Sequence, residues 1–310
     1  MCLHAGAESP QRLPRPPNGA PPQHGKAACC GMLTEDPIAD TFRTPLVFGA
    51  LPGHRAHGIV RSPWRHPVQT AGLEHGWCCQ CVDENRTTAW KETAAPFILL
   101  ESEWKHWRNL PHTDTQRRWL RGRVAAKDAV RLLLTERYNR AAALETISVL
   151  PNEYGQPQVQ CTALPNAGTW VSVSISHCGN SSVALAAERS VSSRGVGLDV
   201  ASQLDSHEGL AEGGFASTEI ALLKNCPEEE RNDWLLRLWC AKESVGKVLG
   251  IGLMGDPLNY LVRRVDHAKG VVEVEIKHKS AVTHQSQRLM TVHVGCDRGM
   301  AFAVAHREEN

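Results

Sequence analysis

The sequence lacks a strong charge imbalance, since its 310 residues contain 34 lysines and arginines against 33 aspartates and glutamates. This near balance gives no reason to expect nucleic acid as a partner. Any phosphate site must therefore be a local cluster of basic side chains. No apolar run approaches the ~18 residues of a membrane helix, and the N-terminus has no apolar segment of the signal-peptide type. We therefore expect a cytoplasmic protein without a membrane partner.

The eleven cysteines do not form an even, regularly spaced set, which argues against the disulfide framework of a secreted protein. Reduced intracellular thiols are the simpler expectation. In the segment HGWCCQC, Cys78 and Cys81 have the C-x-x-C spacing that can ligate zinc. No second such pair lies nearby, and Cys29 and Cys30 are the upstream candidates. We favour the interpretation of these cysteines as ordinary thiols. A zinc-binding interaction module is the alternative interpretation.

Composition divides the chain into three parts. Residues 1–95 begin with a proline-rich stretch that opposes helix and sheet, and we expect a disordered or appended N-terminal extension there. The remainder shows helices and strands that do not alternate regularly, which predicts an α+β fold. We divide it into an N-terminal half, 96–190, and a C-terminal half, 191–306, each with a helix and several strands.

Hydrophobic periodicity locates the main elements. Helices are predicted over 115–137 and from Pro227 to about residue 249, where the acidic PEEE suits the positive end of a helix. Strands are predicted at 170–176, 182–188, 195–200, 259–264, 270–276, 289–294 and 300–305.

Three segments carry chemically interesting side chains. His177 ends the alternating strand WVSVSIS, and Asp199 lies beside glycines in GVGLDV. Glu243 and Lys247 are four apart on the long helix, so they share one face. If that helix packs over the strand, Asp199 and Glu243 meet, and they repel each other unless a cation lies between them. A hard divalent ion with oxygen ligands, Mg²⁺ above all, fits such a pair and also holds phosphate. Lys247 and His177 would add positive charge for a pyrophosphate.

Each of these residues alone has a plainer interpretation. A Glu–Lys pair at this spacing usually lies on a solvated helix face. A lone aspartate on a strand is more often a turn or cap residue, and a single histidine after a strand is more often structural.

The order and spacing of the segments are more specific than any single residue. S-x-S-H is followed after about twenty residues by G-x-G-x-D, and some forty residues later by W-x-x-K-E-x-x-x-K. This arrangement resembles the signature of the 4′-phosphopantetheinyl transferase superfamily, Sfp-like branch. FASTE at 215–219, NEYGQP at 152–157 and the basic helix at 117–131 are also similar to family segments. The resemblance covers about 96–306. The signature residues are Ser174, Ser176, His177, Gly195, Gly197, Asp199, Trp239, Lys242, Glu243 and Lys247.

The resemblance implies two similar α/β halves related by a pseudo-twofold, with coenzyme A bound between them. It implies transfer of 4′-phosphopantetheine to a serine of an acyl- or peptidyl-carrier protein, with Mg²⁺ as cofactor and release of 3′,5′-ADP. Such enzymes serve fatty-acid and polyketide biosynthesis, among other pathways, and the duplicated relatives act as monomers. The alternative is a non-catalytic homologue that binds carrier protein or coenzyme A.

The resemblance also implies residue roles. Asp199 and Glu243 would be Mg²⁺ ligands, with Glu243 as the base for the serine hydroxyl. Lys247 and His177 would contact phosphates of coenzyme A. Arg118 and Arg123 would be further phosphate contacts, although a solvated basic helix face explains them equally well.

Two positions depart from the family pattern. Many relatives carry a second acid two residues after the aspartate, where this chain has Ala201. Water can fill that position, because Mg²⁺ commonly keeps waters. The lysine of the family's G-K-P turn is Gln156 here, which removes one positive charge near coenzyme A.

Overall fold

The described part of the chain is a mixed helix and sheet structure. The computed structural model describes residues 59–84, 95–96, 98–139, 142–162, 164, 167–189, 193–204, 209–253, 255–277 and 289–308. The proline-rich stretch and the cysteines at 29 and 30 lie outside these residues. In the described part, no helix combines the length and the apolar character that crossing a membrane requires.

The described residues form seven helices, and the two long ones among them were predicted from the sequence. The helices are α1 (Arg65–Thr70), α2 (Glu101–Arg108), α3 (Thr113–Tyr138), α4 (Ala167–Trp170), α5 (Leu210–Gly214), α6 (Ser217–Leu222) and α7 (Glu228–Leu249). Helix α7 starts after Pro227 with three glutamates in its first turn, where negative charge is favourable. It ends at Gly250, whose φ of 75° is the left-handed conformation that glycine adopts without strain.

The eleven strands of the described residues form three sheets in which every hydrogen-bonded pair is antiparallel. Their orders are β1-β2-β6-β5, β3-β4 and β7-β11-β10-β9-β8. All seven strands predicted from the sequence are confirmed. The strands are β1 (Ile59–Pro63), β2 (Gly76–Asp83), β3 (Ile147–Pro151), β4 (Pro157–Cys161), β5 (Val171–Cys178), β6 (Ser181–Glu188), β7 (Ser193–Ser202), β8 (Tyr260–Asp266), β9 (Val271–Ile276), β10 (Leu289–Asp297) and β11 (Met300–Glu308).

Strands β1 and β2 correct the predicted N-terminal boundary. The sequence placed residues up to 95 in an extension, but β2 pairs with β6 from Gly76↔Ala187 to Val82↔Ser181. Residues 59–83 therefore belong to the sheet of the first half. This strand has no clear signal in the sequence, because seven of the eight β2 residues are buried. A strand buried on both faces has no apolar–polar alternation.

The same strand rules out the zinc interpretation of HGWCCQC. Successive side chains of a strand point to opposite faces, so residues three apart cannot converge on one ion. Cys78 packs in one core, whereas Cys79 and Cys81 pack in another. Burial raises the pKa of the Cys81 thiol to about 12, which opposes the thiolate that zinc binding needs. These cysteines are buried thiols, as the favoured interpretation predicted.

Three apolar cores arrange the elements in layers. One core lies between α3 and the outer face of the first sheet, and a second lies between α7 and the five-stranded sheet. The third joins the facing sides of the two sheets. Val196, Leu198 and Val200 of β7 point into this third core, as the alternation of that strand predicted. The layers therefore run helix, sheet, sheet, helix.

The two halves repeat one topology. In chain order, β2, α2, α3, the β3–β4 hairpin and the β5–β6 pair correspond to β7, α6, α7, the β8–β9 pair and the β10–β11 pair. The sheet orders correspond as well, because β2-β6-β5 matches β7-β11-β10. The two similar α/β halves are therefore present, although the sequence shows no clear internal repeat.

Equivalent buried ion pairs support this duplication. In the first half, Lys127 Nζ lies 2.6 Å from Glu103 Oε2, and Glu103 Oε1 accepts the N–H of Val149 at 2.8 Å. In the second half, Lys242 Nζ lies 2.9 Å from Glu219 Oε2, and Glu219 Oε1 accepts a β8 N–H at 2.8 Å. Each glutamate also accepts the N–H of the residue three positions before it. The same network thus fixes the short helix, the long helix and the hairpin strand in both halves.

Candidate active site

Serine hydroxyls join the two halves where β5 crosses β7. The backbone N–H groups of Val196, Leu198 and Val200 donate to Ser172, Ser174 and Ser176, at 3.1, 2.8 and 3.3 Å. The three serines, which we call the serine seam, are at most 5% exposed. The alternation of apolar and hydroxyl side chains predicted a half-buried strand. The hydroxyl face is buried as well, because the hydroxyls satisfy the free edge of β7.

A glycine on β7 lets the long helix approach the strand closely. A Cβ at Gly197 would lie 2.0 Å from the carbonyl oxygen of Ser244 on α7, which is far inside van der Waals contact. The absence of a side chain therefore sets the distance between strand and helix. This contact brings the face of α7 that carries Glu243 and Lys247 over the polar face of β7.

Asp199 is the centre of the resulting hydrogen-bond network. Its carboxylate is 8% exposed and accepts the hydroxyl of Ser176 and the ammonium of Lys247, both at 2.7 Å. Lys247 also donates to the carbonyl of Leu198 at 2.9 Å. Strand β5, strand β7 and helix α7 thus each contribute one side chain to the network.

Glu243 lies close enough to Asp199 for their charges to interact. Burial, with the negative charge of Asp199, raises the pKa of the Glu243 carboxyl above its usual value, and Lys247 partly offsets this. In the described residues no group of three His, Cys, Asp or Glu side chains can hold a metal ion. Asp199 and Glu243 are two carboxylates that could hold an ion, and Ala201 occupies the third position on the same strand face. Two hard oxygen donors that repel each other fit a divalent ion that keeps water or phosphate as its other ligands.

A cleft of about 540 Å³ lies between the two halves next to Lys247. The two halves differ at this place. In the second half β10 pairs with β9, whereas in the first half the equivalent strands β5 and β4 belong to separate sheets, and the cleft opens between them. Residues of β5, of the β3–β4 hairpin and of the end of α7 line this cleft. The turn residue Gln156 lies on this wall and packs against Gly250.

His177 lines the cleft in a neutral form. Burial and then the charges of Arg118, Lys247, Arg121 and Arg123 lower the pKa of its imidazole to about 3. Its Nδ1 lies 2.8 Å from Ser182 Oγ. The sequence analysis expected His177 to add positive charge, whereas in the ligand-free protein burial and then four nearby cations oppose protonation of the ring. The imidazole is instead available as a neutral hydrogen-bonding group.

The two arginines selected on α3 occupy different environments. Arg123 lines the cleft, is 7% exposed and lies 4.2 Å above the ring of Trp119. Among the described residues, its Nε has no hydrogen-bond partner. Arg118 is exposed and does not line the cleft, and it acts on His177 only through its charge.

Sequence reasoning missed two lining residues, Trp119 and Arg189. Trp119 lies on α3 one turn before Arg123 and shares its helix face. Arg189 directly follows β6 and lines the cleft. A single arginine after a strand carries no signal in one sequence.

Other residues of the signature are structural. Lys242 is fully buried in its ion pair with Glu219 of FASTE. Trp239 packs edge-on against Phe215, with ring centroids 6.4 Å apart. These side chains hold α7 in place and do not line the cleft.

Comparisons with known proteins identify the family of this chain. The family model described as ACPS, 4′-phosphopantetheinyl transferase superfamily, matches residues 195–304. The 4′-phosphopantetheinyl transferase ffp of Bacillus subtilis is 31% identical over 169 residues, which cover 54% of this chain and 67% of that protein. The crystal structure of Thermotoga maritima holo-[acyl-carrier-protein] synthase aligns with a TM-score of 0.31 and 18% identity over 46% of this chain and 74% of that one. The chain therefore belongs to the 4′-phosphopantetheinyl transferase superfamily, in its Sfp-like branch, and is a transferase enzyme.

Proposed function

We propose that this enzyme transfers the 4′-phosphopantetheine group of coenzyme A to a serine of an acyl- or peptidyl-carrier protein, with Mg²⁺ as cofactor. The observation that carries the proposal is the meeting of Asp199, Glu243 and Lys247 beside a cleft lined by basic side chains. Retention of both carboxylates favours an enzyme over a non-catalytic homologue.

The reaction is a phosphoryl transfer. The serine oxygen forms a bond to the phosphorus that carries pantetheine, the bond from that phosphorus to the bridging oxygen breaks, and 3′,5′-ADP leaves. Mg²⁺, held by Asp199 and Glu243, would neutralise charge on the pyrophosphate and orient it. Lys247 lies 2.7 Å from Asp199, so its ammonium can reach the same phosphate oxygens.

Glu243 is the proposed acceptor of the serine proton, directly or through one water. In the metal-free protein, burial and then the charge of Asp199 raise the pKa of the Glu243 carboxyl, so this group can take up a proton more readily than an exposed glutamate when no cation is bound. Ser176 is a positioning residue, since its hydroxyl fixes the orientation of Asp199. Arg123 and the neutral His177 would bind phosphate oxygens of coenzyme A from the first half.

The partner follows from this chemistry. A carrier protein of fatty-acid or polyketide synthesis would present the serine, and we propose that the enzyme acts as a monomer in the cytoplasm.

The proposal is tested by incubating the protein with coenzyme A, Mg²⁺ and several apo carrier proteins, and then measuring each carrier by intact-mass spectrometry. We expect at least one carrier to gain the mass of one phosphopantetheine group. No gain on any acyl- or peptidyl-carrier protein would contradict the proposed transfer.

Substitution of the carboxylates tests their roles. Asp199→Asn and Glu243→Gln should each lower the transfer rate by at least about a hundredfold, because each removes a charge that acts on the transferred phosphate. Glu212→Gln, which changes an exposed acid on α5, is the matched control and should keep the rate. Circular dichroism should show the same fold in all three variants. Full activity in either site variant would overturn the metal assignment.

A further inference from the structure

Arg189 differs from most of the buried and half-buried arginines. Arg61 pairs with Asp128, Arg117 with Asp83, Arg137 with Glu188, and Arg237 with Asp233. Arg189 is half-buried, yet among the described residues its side chain has neither an ion pair nor a hydrogen bond, and its Nε is buried without a partner. The adjacent carboxylate of Glu188 already binds Arg137 and Tyr138.

The positive charge of the Arg189 guanidinium therefore has no compensating negative charge among the described residues. Burial lowers the pKa of its guanidinium, and no acidic group acts in the opposite direction. Arginine nevertheless stays charged in proteins. A desolvated cation without a counter-charge is unfavourable, and a bound anion or the face of an aromatic ring would compensate it.

The position of Arg189 identifies which part of a ligand it meets. Its backbone N–H donates to the carbonyl of Trp170, just before β5 begins. Ser176, which binds Asp199, lies six residues further along the chain, and six residues of strand span roughly 20 Å. Arg189 and Lys247 nevertheless line the same cleft. Arg189 thus lies towards the end of the cleft away from the carboxylates.

We propose that Arg189 binds the nucleotide end of coenzyme A, a role that rests on the proposed function. With the pyrophosphate at Asp199 and Glu243, the far end of the cleft receives either the pantetheine arm or the 3′-phosphoadenosine. The pantetheine arm is uncharged, whereas the nucleotide carries a phosphate dianion and a purine ring, both of which pair with a guanidinium. Arg189 is then a specificity-determining residue for the donor substrate and takes no part in the chemistry.

The test measures coenzyme A binding by calorimetry without carrier protein, so that its readout is independent of transfer. Arg189→Ala should weaken binding by about tenfold or more, as expected for a lost charge-assisted contact. Arg189→Lys should restore part of the affinity. Arg137→Ala, which removes a paired arginine outside the cleft, is the matched control and should bind coenzyme A like the wild type.

Thermal unfolding separates a binding role from a structural one. Arg189→Ala should keep or raise the melting temperature of the ligand-free protein, whereas Arg137→Ala should lower it. The affinity of Arg189→Ala is also measured for 3′-dephospho-coenzyme A, which lacks the 3′-phosphate. A loss of affinity for coenzyme A alone would assign Arg189 to the 3′-phosphate, and an equal loss for both ligands would assign it to the adenosine. Wild-type affinity in Arg189→Ala would overturn this inference alone. Failure of the wild type to bind coenzyme A would overturn the proposed function as well.

Discussion

At the scale of single residues, His177 shows how neighbouring charges set the state of a side chain. Its pKa of about 3 results from burial and from four nearby cations. The ring is therefore neutral at pH 5 in the folded protein, whereas a histidine in the unfolded chain titrates near pH 6.5. The motif indicated that His177 belongs to the site, but one sequence does not reveal which cations surround it.

This difference predicts a pH dependence of stability. Between pH 6.5 and pH 3 the unfolded chain binds a proton at His177 that the folded protein does not, so the free energy of unfolding falls as the pH falls through this window. The free energy of unfolding should decrease less from pH 7 to pH 5 in His177→Gln than in the wild type, by about 1–2 kcal/mol. Urea unfolding at pH 7 and at pH 5 measures this difference. His112→Gln, at an exposed position before α3, should behave like the wild type, and an equal decrease in all three proteins would contradict the assignment.

At the scale of elements, the serine seam gives β5 two functions. Its hydroxyls bind the edge of β7, and the last of them, Ser176, also orients Asp199. Ser174→Ala leaves the buried N–H of Leu198 without its 2.8 Å partner.

Alanine variants should separate these functions. Ser174→Ala and Ser176→Ala should each lower the free energy of unfolding by about 1–3 kcal/mol, the cost of an unsatisfied buried group. Only Ser176→Ala should also raise the Mg²⁺ concentration needed for half-maximal transfer, because only Ser176 contacts Asp199. Denaturant unfolding and a magnesium titration of the rate provide the two readouts. An identical magnesium dependence in both variants would show that Ser176 does not position the aspartate.

The elements also show what a single sequence can predict. Helices α3 and α7 were predicted because apolar residues recur at helical spacing along each of them, and strands β9 and β10 because one face of each is buried and the other is not. Strand β2 was missed because it is buried on both sides. The contacts of the serine seam were not predicted, because alternation shows that two faces differ, but not whether the polar face meets water or another strand.

At the scale of the whole molecule, the two halves share a fold but differ at the site. Alignment of Lys127 with Lys242 through their equivalent ion pairs places Asp128 where the second half has Glu243. Asp128 is buried and pairs with Arg61, so that position is already neutralised in the first half. The second half thus supplies the carboxylates, and the first half supplies Arg123, His177 and the opening between β5 and β4.

The central claim is that Asp199 and Glu243 together hold one divalent ion beside the cleft. Titration with Mn²⁺ in the presence of 3′,5′-ADP, followed by electron paramagnetic resonance, tests it most directly, because free and bound Mn²⁺ give different signals. We predict one bound ion per wild-type chain, the same for Glu212→Gln, and no binding at the same concentration for Asp199→Asn or Glu243→Gln. Stoichiometric Mn²⁺ binding by both folded site variants would contradict the account.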